Sequence, residues 1–316
     1  MPPVASDFAA RVDVFYWFMV LMSVFWVVAI GAVVAYFAIR YRRRYRTQRP
    51  DEIHGSNRLE AAWTVVPFVL AMMMFFWAAH LFFDYAQAPA DAMEILVTGK
   101  QWMWRLQHPD GTREINTLHI PVGQPVKLTM TSEDVIHSFY IPAFRVKADV
   151  LPGRYTRTWF TPTKTGSFHL FCAEYCGTEH SRMGGFVHVL TPREYDEWLQ
   201  TASTAGGGAA VARLSPADAG ERLFTRLGCV TCHGGAAGAL GPSLVGLFGR
   251  ERELADGTMI LADEDYIRQS ILYPQRHIAK GYQPVMPSFE GQVNETQLMQ
   301  LVAYIKSIGS QKIGMD

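Results

Sequence analysis

Cys172 and Cys176 stand four apart, His180 follows four further on and Met183 three beyond that, all within the run FCAEYCGTEHSRMGGFV from Phe171 to Val187. Thiolate, imidazole and thioether are soft or borderline donors, so a cluster of these types alone favours copper, whereas oxygen-rich sets suit calcium or magnesium. A single copper of the blue type needs one cysteine. Two cysteines could instead bridge two metal ions, provided a second histidine gives each ion its own imidazole. His137, in SEDVIHSFYIP, is the candidate for that histidine. The strand-like runs TRTWF and SFHLF lie between the two sites, enough chain to cross a small β-domain and return to the same edge. Taken alone, the cysteine pair could also be a strained disulfide or half of a zinc site, and a lone methionine is more often core filler.

A second pair, Cys229 and Cys232, is followed at once by His233. CxxCH is the attachment signature of c-type haem: the two thiols form thioethers with the vinyl groups and the histidine reaches the iron from one side. A zinc or thioredoxin-like pair is the alternative. No second Cys or His pair follows at zinc-finger spacing, however, and no βαβ pattern surrounds the motif. The chain has 4 cysteines, all within these two motifs, so none is left for a structural disulfide.

The set His137, Cys172, Glu174, Cys176, Gly177, His180 and Met183 resembles the dinuclear copper (CuA) site of cytochrome c oxidase subunit II, whose pattern is a distant His followed by CxExCGxxHxxM. It matches at every position. The resemblance implies that Cys172 and Cys176 bridge both coppers and that His137 and His180 bind one each. Met183 and the backbone carbonyl of Glu174 are then weak outer ligands, and the Glu174 side chain helps hold a magnesium ion at the contact with the catalytic subunit. In GKQWMWRL, Trp102 matches the family tryptophan over the copper, where an external cytochrome c delivers its electron. Trp104 reads as an aromatic packing a sheet face. In RLEAAWTVVP, Glu60 matches a glutamate near the entrance of a proton channel of the catalytic subunit; a capping or interfacial carboxylate is the alternative. His119, His169 and His188 fall outside the pattern and read as ordinary strand histidines. Met286, in PVMPSF, resembles the distal methionine of class I cytochromes c, with Met259 as competitor and Met299 as core. Gly241 and Pro242 resemble the turn whose proline carbonyl accepts a hydrogen bond from the proximal histidine.

These groups need elements to hold them. The chain has 316 residues, 49% of them hydrophobic, with 8 Trp and 19 Phe, a composition rich for a wholly soluble protein and long enough for more than one domain. Net charge is zero, so no basic field calls for nucleic acid. Uncharged runs at 14–39 and 61–83 are each long enough to cross a bilayer as a helix. Pro67 marks a place where the second helix could kink. A cleaved signal peptide fits the first run poorly, because it is long and lacks a basic leader. Arg40, Arg42, Arg43, Arg44, Arg46, Arg49 and Arg58 crowd between the runs, which puts that loop on the cytoplasmic side and both termini outside.

Beyond Asp84, short alternating stretches such as MEILVTG, PVKLTMTS and GGFVHVL predict an antiparallel β-sandwich. PREYDEWLQ predicts a short helix opened by Pro192. TASTAGGGAAVA, from Thr201, has the composition of flexible coil. Ser215, Pro216 and Asp218 form a helix-opening set, and Asn294–Ile308 predicts a closing helix with Leu298, Leu301, Val302 and Ile305 on one face.

The expectation is therefore a multidomain membrane protein: a transmembrane hairpin (1–90), a cupredoxin-like domain (91–198), a linker (199–214) and an all-α, class I cytochrome c domain (215–316). It resembles subunit II of a caa-type oxidase. That resemblance implies electron transfer from a cytochrome c or other periplasmic or membrane donor, through haem c and CuA, to a haem–copper subunit I in the bacterial inner membrane, which reduces oxygen and pumps protons. The electron-entry subunit of a CuA-containing nitric oxide reductase is a related alternative, and a copper-binding assembly protein one of another class. A quinol oxidase subunit is disfavoured, because that class has lost the copper ligands retained here.

Overall fold

The computed structural model describes residues 1–48, 55–204, 214–234 and 239–310. Asp7–Gln87 forms one compact unit, and Ala88–Asp316 together with Met1–Ser6 forms the other. Arg49 of the expected arginine loop and residues 205–212 of the expected glycine-rich linker lie outside the described residues.

The first unit is a helical pair. α1 (Asp7–Arg40) and α2 (Asn57–Ala86) contain the expected spans, and both are long and apolar enough to cross a membrane. Apolar side chains point outward all round: Val27, Ile39, Phe68 and Phe76 are each more than half exposed. A helix that is apolar on every side needs an apolar medium around it. Trp77 packs edge-on against Phe15 with ring centroids 5.2 Å apart, and Arg11 pairs with Asp84. α2 runs unbroken through Pro67.

The second unit opens with ten strands: β1 (Met93–Lys100), β2 (Met103–Gln107), β3 (Arg113–Ile115), β4 (Thr117–Pro121), β5 (Val126–Ser132), β6 (His137–Ile141), β7 (Val146–Val150), β8 (Thr156–Phe160), β9 (Gly166–Cys172) and β10 (Gly184–Leu190). They form two five-stranded sheets, ordered β3-β2-β1-β5-β8 and β4-β10-β9-β6-β7. Alternate residues face inward. Ile95, Val97, Leu128 and Phe160 of one sheet and Leu118, Phe139, Ile141 and Val187 of the other are all fully buried, each side chain stabilising the fold by roughly 1.5–3 kcal/mol. The sandwich is the expected cupredoxin-like one, with one feature that alternation does not disclose. Each sheet includes a parallel pair, β1 with β5 and β4 with β10. Period-two patterning specifies which face of a strand is buried but not the direction of its neighbour.

Two local features close the sandwich. Ala5 donates its backbone N–H to the Ala143 carbonyl at 3.0 Å, the Ser6 hydroxyl donates to the Phe144 carbonyl at 2.9 Å, and so the first residues of the chain tuck onto this domain. α3 (Pro192–Thr204) follows β10 and runs past Gln200, with the Thr201 hydroxyl donating to the Glu197 carbonyl at 2.8 Å. Thr201–Thr204 are thus helical where composition predicts coil.

The C-terminal helices are α4 (Pro216–Arg226), α5 (Cys229–His233), α6 (Glu264–Leu272) and α7 (Glu295–Ser310). Caps fall as the sequence predicts: Ser215 accepts from the Asp218 N–H at 3.1 Å, and Asn294 from the Gln297 N–H at 2.9 Å. α4 crosses α7 at Gly220, where a Cβ would lie 2.0 Å from the Gln300 carbonyl oxygen, so no larger residue permits that approach. Leu298, Leu301, Val302 and Ile305 are buried as expected. A two-stranded ribbon, β11 (Glu251–Glu253) with β12 (Met259–Leu261), supplements the helices; each strand is only three residues long, too short for periodicity to register.

Candidate copper and haem sites

Four of the soft donors come from one connection. Cys172 is the last residue of β9, and the chain then passes through Cys176 and a single 3-10 turn (His180–Arg182) before Met183 and β10. The Cys172 N–H donates to the Met183 carbonyl at 3.0 Å, closing the loop at its base. His137 begins β6, next to β9 in the same sheet. This adjacency brings a residue distant in sequence to the loop.

The donor atoms converge. Cys172 Sγ lies 3.8 Å from Cys176 Sγ, 3.9 Å from His137 Nδ1 and 3.3 Å from the Glu174 carbonyl oxygen. Cys176 Sγ lies 3.5 Å from His180 Nδ1 and 3.7 Å from Met183 Sδ. A disulfide would need about 2.05 Å, so both cysteines are free thiols. Two thiolates sharing an ion at about 2.3 Å with a tetrahedral angle sit about 3.8 Å apart, the separation found here. Among the described residues, His137, Cys172 and Cys176 form the one buried His/Cys/carboxylate set whose donor atoms all lie within 4.8 Å of one another. Burial raises both thiols. Hydrogen bonds with His137 and with the backbone at Ser138 and Glu174 outweigh it at Cys172 and bring that thiol to about 6. Burial and the charge on Cys172 push Cys176 up to about 12. Without a cation the pair holds one negative charge readily and a second poorly, so a bound cation would favour the doubly deprotonated pair.

The loop is supported from the β1–β2 turn, β2 and the turn before β6. Gln101 Nε2 donates to the Cys176 carbonyl at 2.8 Å. Gly177 has φ +116, and a Cβ there would approach the Trp102 ring at 3.3 Å, so Trp102 lies directly against the ligand loop. Trp104 is fully buried, edge-on to His137 and Phe139. The Glu174 side chain is exposed, as is Glu60 in the first turn of α2. His119 and His188 stack in the sandwich wall at 4.7 Å between ring centroids, and His169 packs on Phe171 and Phe186.

Asp134 is the group the sequence did not reveal. Its carboxylate accepts from His137 Nε2 at 2.8 Å, and also from the backbone N–H groups of Gln101 at 2.8 Å and Val135 at 2.7 Å. With Nε2–H committed to Asp134, Nδ1 is left as the lone-pair nitrogen facing Cys172. Burial raises Asp134, but these three hydrogen bonds hold its carboxyl below the usual range. An acid three residues before a ligand histidine was the available signal.

The second site is an apolar cleft between α4, α6 and α7, about 1320 Å³ including space open to solvent. Cys229, Cys232, His233 and Met286 all line it, with Ile267 and Leu301 among its walls. His233 Nδ1 bonds the Pro242 carbonyl oxygen at 2.8 Å, leaving Nε2 as the nitrogen available to iron. Gly241 is required beside that ring: a Cβ there would stand 2.7 Å from His233 Cε1. Met259 lies elsewhere, 55% exposed in β12, and Met299 is buried in the core. Two free thiols, an imidazole held by a carbonyl and a thioether around an apolar cleft form a set that suits haem c, as the sulfur-rich loop suits copper.

Residues 113–190 match the family described as cytochrome c oxidase subunit II, periplasmic domain. Residues 215–305 match the family described as cytochrome c oxidase, cbb3-type, subunit III. A solved structure, the periplasmic domain of subunit II of cytochrome oxidase from Bradyrhizobium japonicum, is 34% identical, covering 37% of this chain and 98% of that one with a TM-score of 0.36. A cytochrome c oxidase subunit 2 from Thermostichus vulcanus is 30% identical over 252 residues, 63% of this chain and 77% of the relative. The cytochrome c oxidase subunit 2 of Alkalihalophilus pseudofirmus is 30% identical over 293 residues, 89% of this chain and 82% of the relative. Likeness on that scale reaches well beyond the copper loop, and the chain belongs to the cytochrome c oxidase subunit 2 family, as an oxidoreductase subunit in which a cytochrome c domain follows the copper domain.

Proposed function

We propose that this chain is the electron-transfer subunit of a membrane-bound terminal oxidase. It takes electrons from a cytochrome c or another donor at a covalent haem c, passes them to a dinuclear CuA centre, and delivers them to a separate haem–copper subunit that reduces oxygen to water and pumps protons. Bound at these sites, haem iron and paired copper supply one-electron oxidation and reduction.

The chain's own residues do the rest. Cys172 and Cys176 would hold the copper together with the imidazoles of His137 and His180, and Met183 and the Glu174 carbonyl would complete the donor set. Cys229 and Cys232 would anchor the haem, and His233 and Met286 would supply its iron ligands. Fixed ligands at both sites would keep the structural change on reduction small, and burial together with the hydrogen bonds of His137 to Asp134 and of His233 to the Pro242 carbonyl would tune the potentials. Trp102 offers the electron a path to the copper loop from outside, the Glu174 side chain contributes to a magnesium site against the catalytic subunit, and Glu60 serves a proton channel there. The arginine-rich segment between α1 and α2 stays on the cytoplasmic side, with both cofactor domains on the outer face.

The observation that carries this reading is the convergence of His137, Cys172 and Cys176, with His180 and Met183 against Cys176, in the same compact unit as a CxxCH-lined cleft. A copper-assembly protein has no use for the second site. Isolating the complex from membranes and measuring its consumption of oxygen and of nitric oxide tests the proposal. Rapid oxygen uptake with full reduction to water is expected; nitric oxide turnover without oxygen uptake would transfer the chain to the reductase class.

Asp134→Asn gives a sharper local test. The amide's oxygen can still accept from His137, but the carboxylate that raises the basicity of Nδ1 is gone. Copper affinity is expected to fall by about 10- to 100-fold, read by competition with a chelator, with haem c absorbance unchanged. Unaltered affinity would show that Asp134 merely shapes the turn.

A further inference from the structure

The outer face of the β3-β2-β1-β5-β8 sheet carries a cluster of charges that ends on the cytochrome helices. Glu264, at the start of α6, is only 5% exposed. It accepts from Arg157 Nη2 of β8 at 2.6 Å and from Lys306 Nζ of α7 at 2.9 Å. Lys306 also donates to Glu94 of β1 at 3.1 Å, and Glu94 is held in turn by Lys127 at 3.1 Å and the Thr129 hydroxyl at 2.6 Å, both on β5. Beside this cluster the Tyr155 N–H donates to Asp265 at 3.0 Å, and Arg268 Nε donates to the Gly153 carbonyl at 3.1 Å. The Tyr155 ring, 3% exposed, is itself part of the apolar core of the cytochrome helices.

Each helix is used on two faces. On α6, Glu264, Asp265 and Arg268 meet the sandwich, while Ile267 and Ile271 line the haem cleft. On α7, Met299, Gln300 and Lys306 meet the sandwich, while Leu301 and Ile305 line the cleft. The sheet repeats the pattern. Thr98 of β1 meets Met299 with its hydroxyl 3.8 Å from Sδ, and the next residue, Gly99, faces the other way, where a Cβ would stand 3.0 Å from the His137 ring. One strand and one helix therefore lie between the copper-side histidine and the haem cleft wall.

We propose that the Glu94–Lys306–Glu264–Arg157 cluster is a latch that docks the cytochrome domain on β1, β5 and β8, with Lys306 as its positioning residue. The latch holds haem cleft and copper loop at one spacing, so transfer between them occurs from a docked domain and not from an undocked one. This rests on the electron-transfer reading above. Lys306 is central because it bonds both carboxylates, Glu94 at 3.1 Å and Glu264 at 2.9 Å, whereas Lys127 reaches Glu264 only at 4.0 Å. Without it Glu94 keeps Lys127 and Glu264 keeps Arg157, but the one close cation that joins strand to helix is gone and two partly shielded carboxylates are left under-compensated.

The test uses the full-length holoprotein in detergent with Lys306→Glu, Lys306→Gln and Lys306→Arg. Hydrogen exchange on β1 and α6 reads docking without reference to activity. Exchange at those elements is expected to rise roughly 10- to 100-fold in Lys306→Glu, less in Lys306→Gln, and to stay near the native level in Lys306→Arg. Haem and copper spectra should be the same in all. Single-turnover transfer from haem c to copper should be independent of solvent viscosity in the native protein, and slower and viscosity-dependent in Lys306→Glu. Native-level protection in Lys306→Glu, or a viscosity-dependent native rate, would overturn the latch. Absence of any haem-to-copper transfer in fully loaded native protein would instead sink the electron-transfer reading, and the exchange measurement would still decide the docking.

Discussion

Cys176→Ser is expected to abolish the dinuclear copper signal while leaving haem c absorbance intact. Cys176 Sγ is the atom on which the cluster converges, within 3.5–3.8 Å of His180 Nδ1, Met183 Sδ and Cys172 Sγ. Serine keeps the size, but its hydroxyl does not ionise in the accessible range and is a hard donor where copper wants a soft one. One thiolate, Cys172, cannot bridge a pair from both sides. The loss should exceed the ~10- to 100-fold that follows removal of a supporting hydrogen bond, and oxygen uptake driven through haem c should fall with it. Electron paramagnetic resonance on the purified variant reads the outcome, and an unaltered spectrum would remove Cys176 from the bridge.

Met286→Ala is expected to open the haem. Met286 lines the cleft that also holds Cys229, Cys232 and His233, whereas Met259 sits exposed on the β11–β12 ribbon. With the thioether gone, ferrous haem should bind carbon monoxide. The reduction potential should drop by a sizeable part of the roughly 0.8 V range that axial ligands command, because methionine ligation is what raises it. Covalent attachment through Cys229 and Cys232 should persist, so the pyridine haemochrome is the internal control. A ferrous spectrum still inert to carbon monoxide would show that another side chain, Met259 foremost, holds the sixth position.

Much of this was legible in the sequence because the chemistry sits in two short runs. The spacing of Cys172, Cys176, His180 and Met183 places four donors in one connection between adjacent strands, and residues so close in sequence have little freedom to part. His137 needed more, since only the pairing of β6 with β9 brings it there. The membrane helices were legible from composition alone, and the caps at Ser215 and Asn294 from residue type.

What escaped is long-range or polar. Asp134 looks like any turn acid until His137 Nε2 is found 2.8 Å away. The tuck of Ala5 and Ser6 onto the sandwich leaves no periodic trace. Glu94, Lys127, Arg157, Glu264 and Lys306 come from three strands and two helices, and each reads singly as a solvated surface charge. Only the fold shows that they neutralise one another, with Lys306 and Lys127 holding Glu94 down to about 2 against the effect of burial.

The decisive quantity is the ratio of copper to covalent haem in the complex purified under metal-replete conditions, measured by elemental analysis against the pyridine haemochrome, with copper of the catalytic subunit subtracted. Two coppers per haem c, both lost in Cys176→Ser, is the predicted result. One copper or none in the native chain would contradict a paired-metal centre and the electron path built on it.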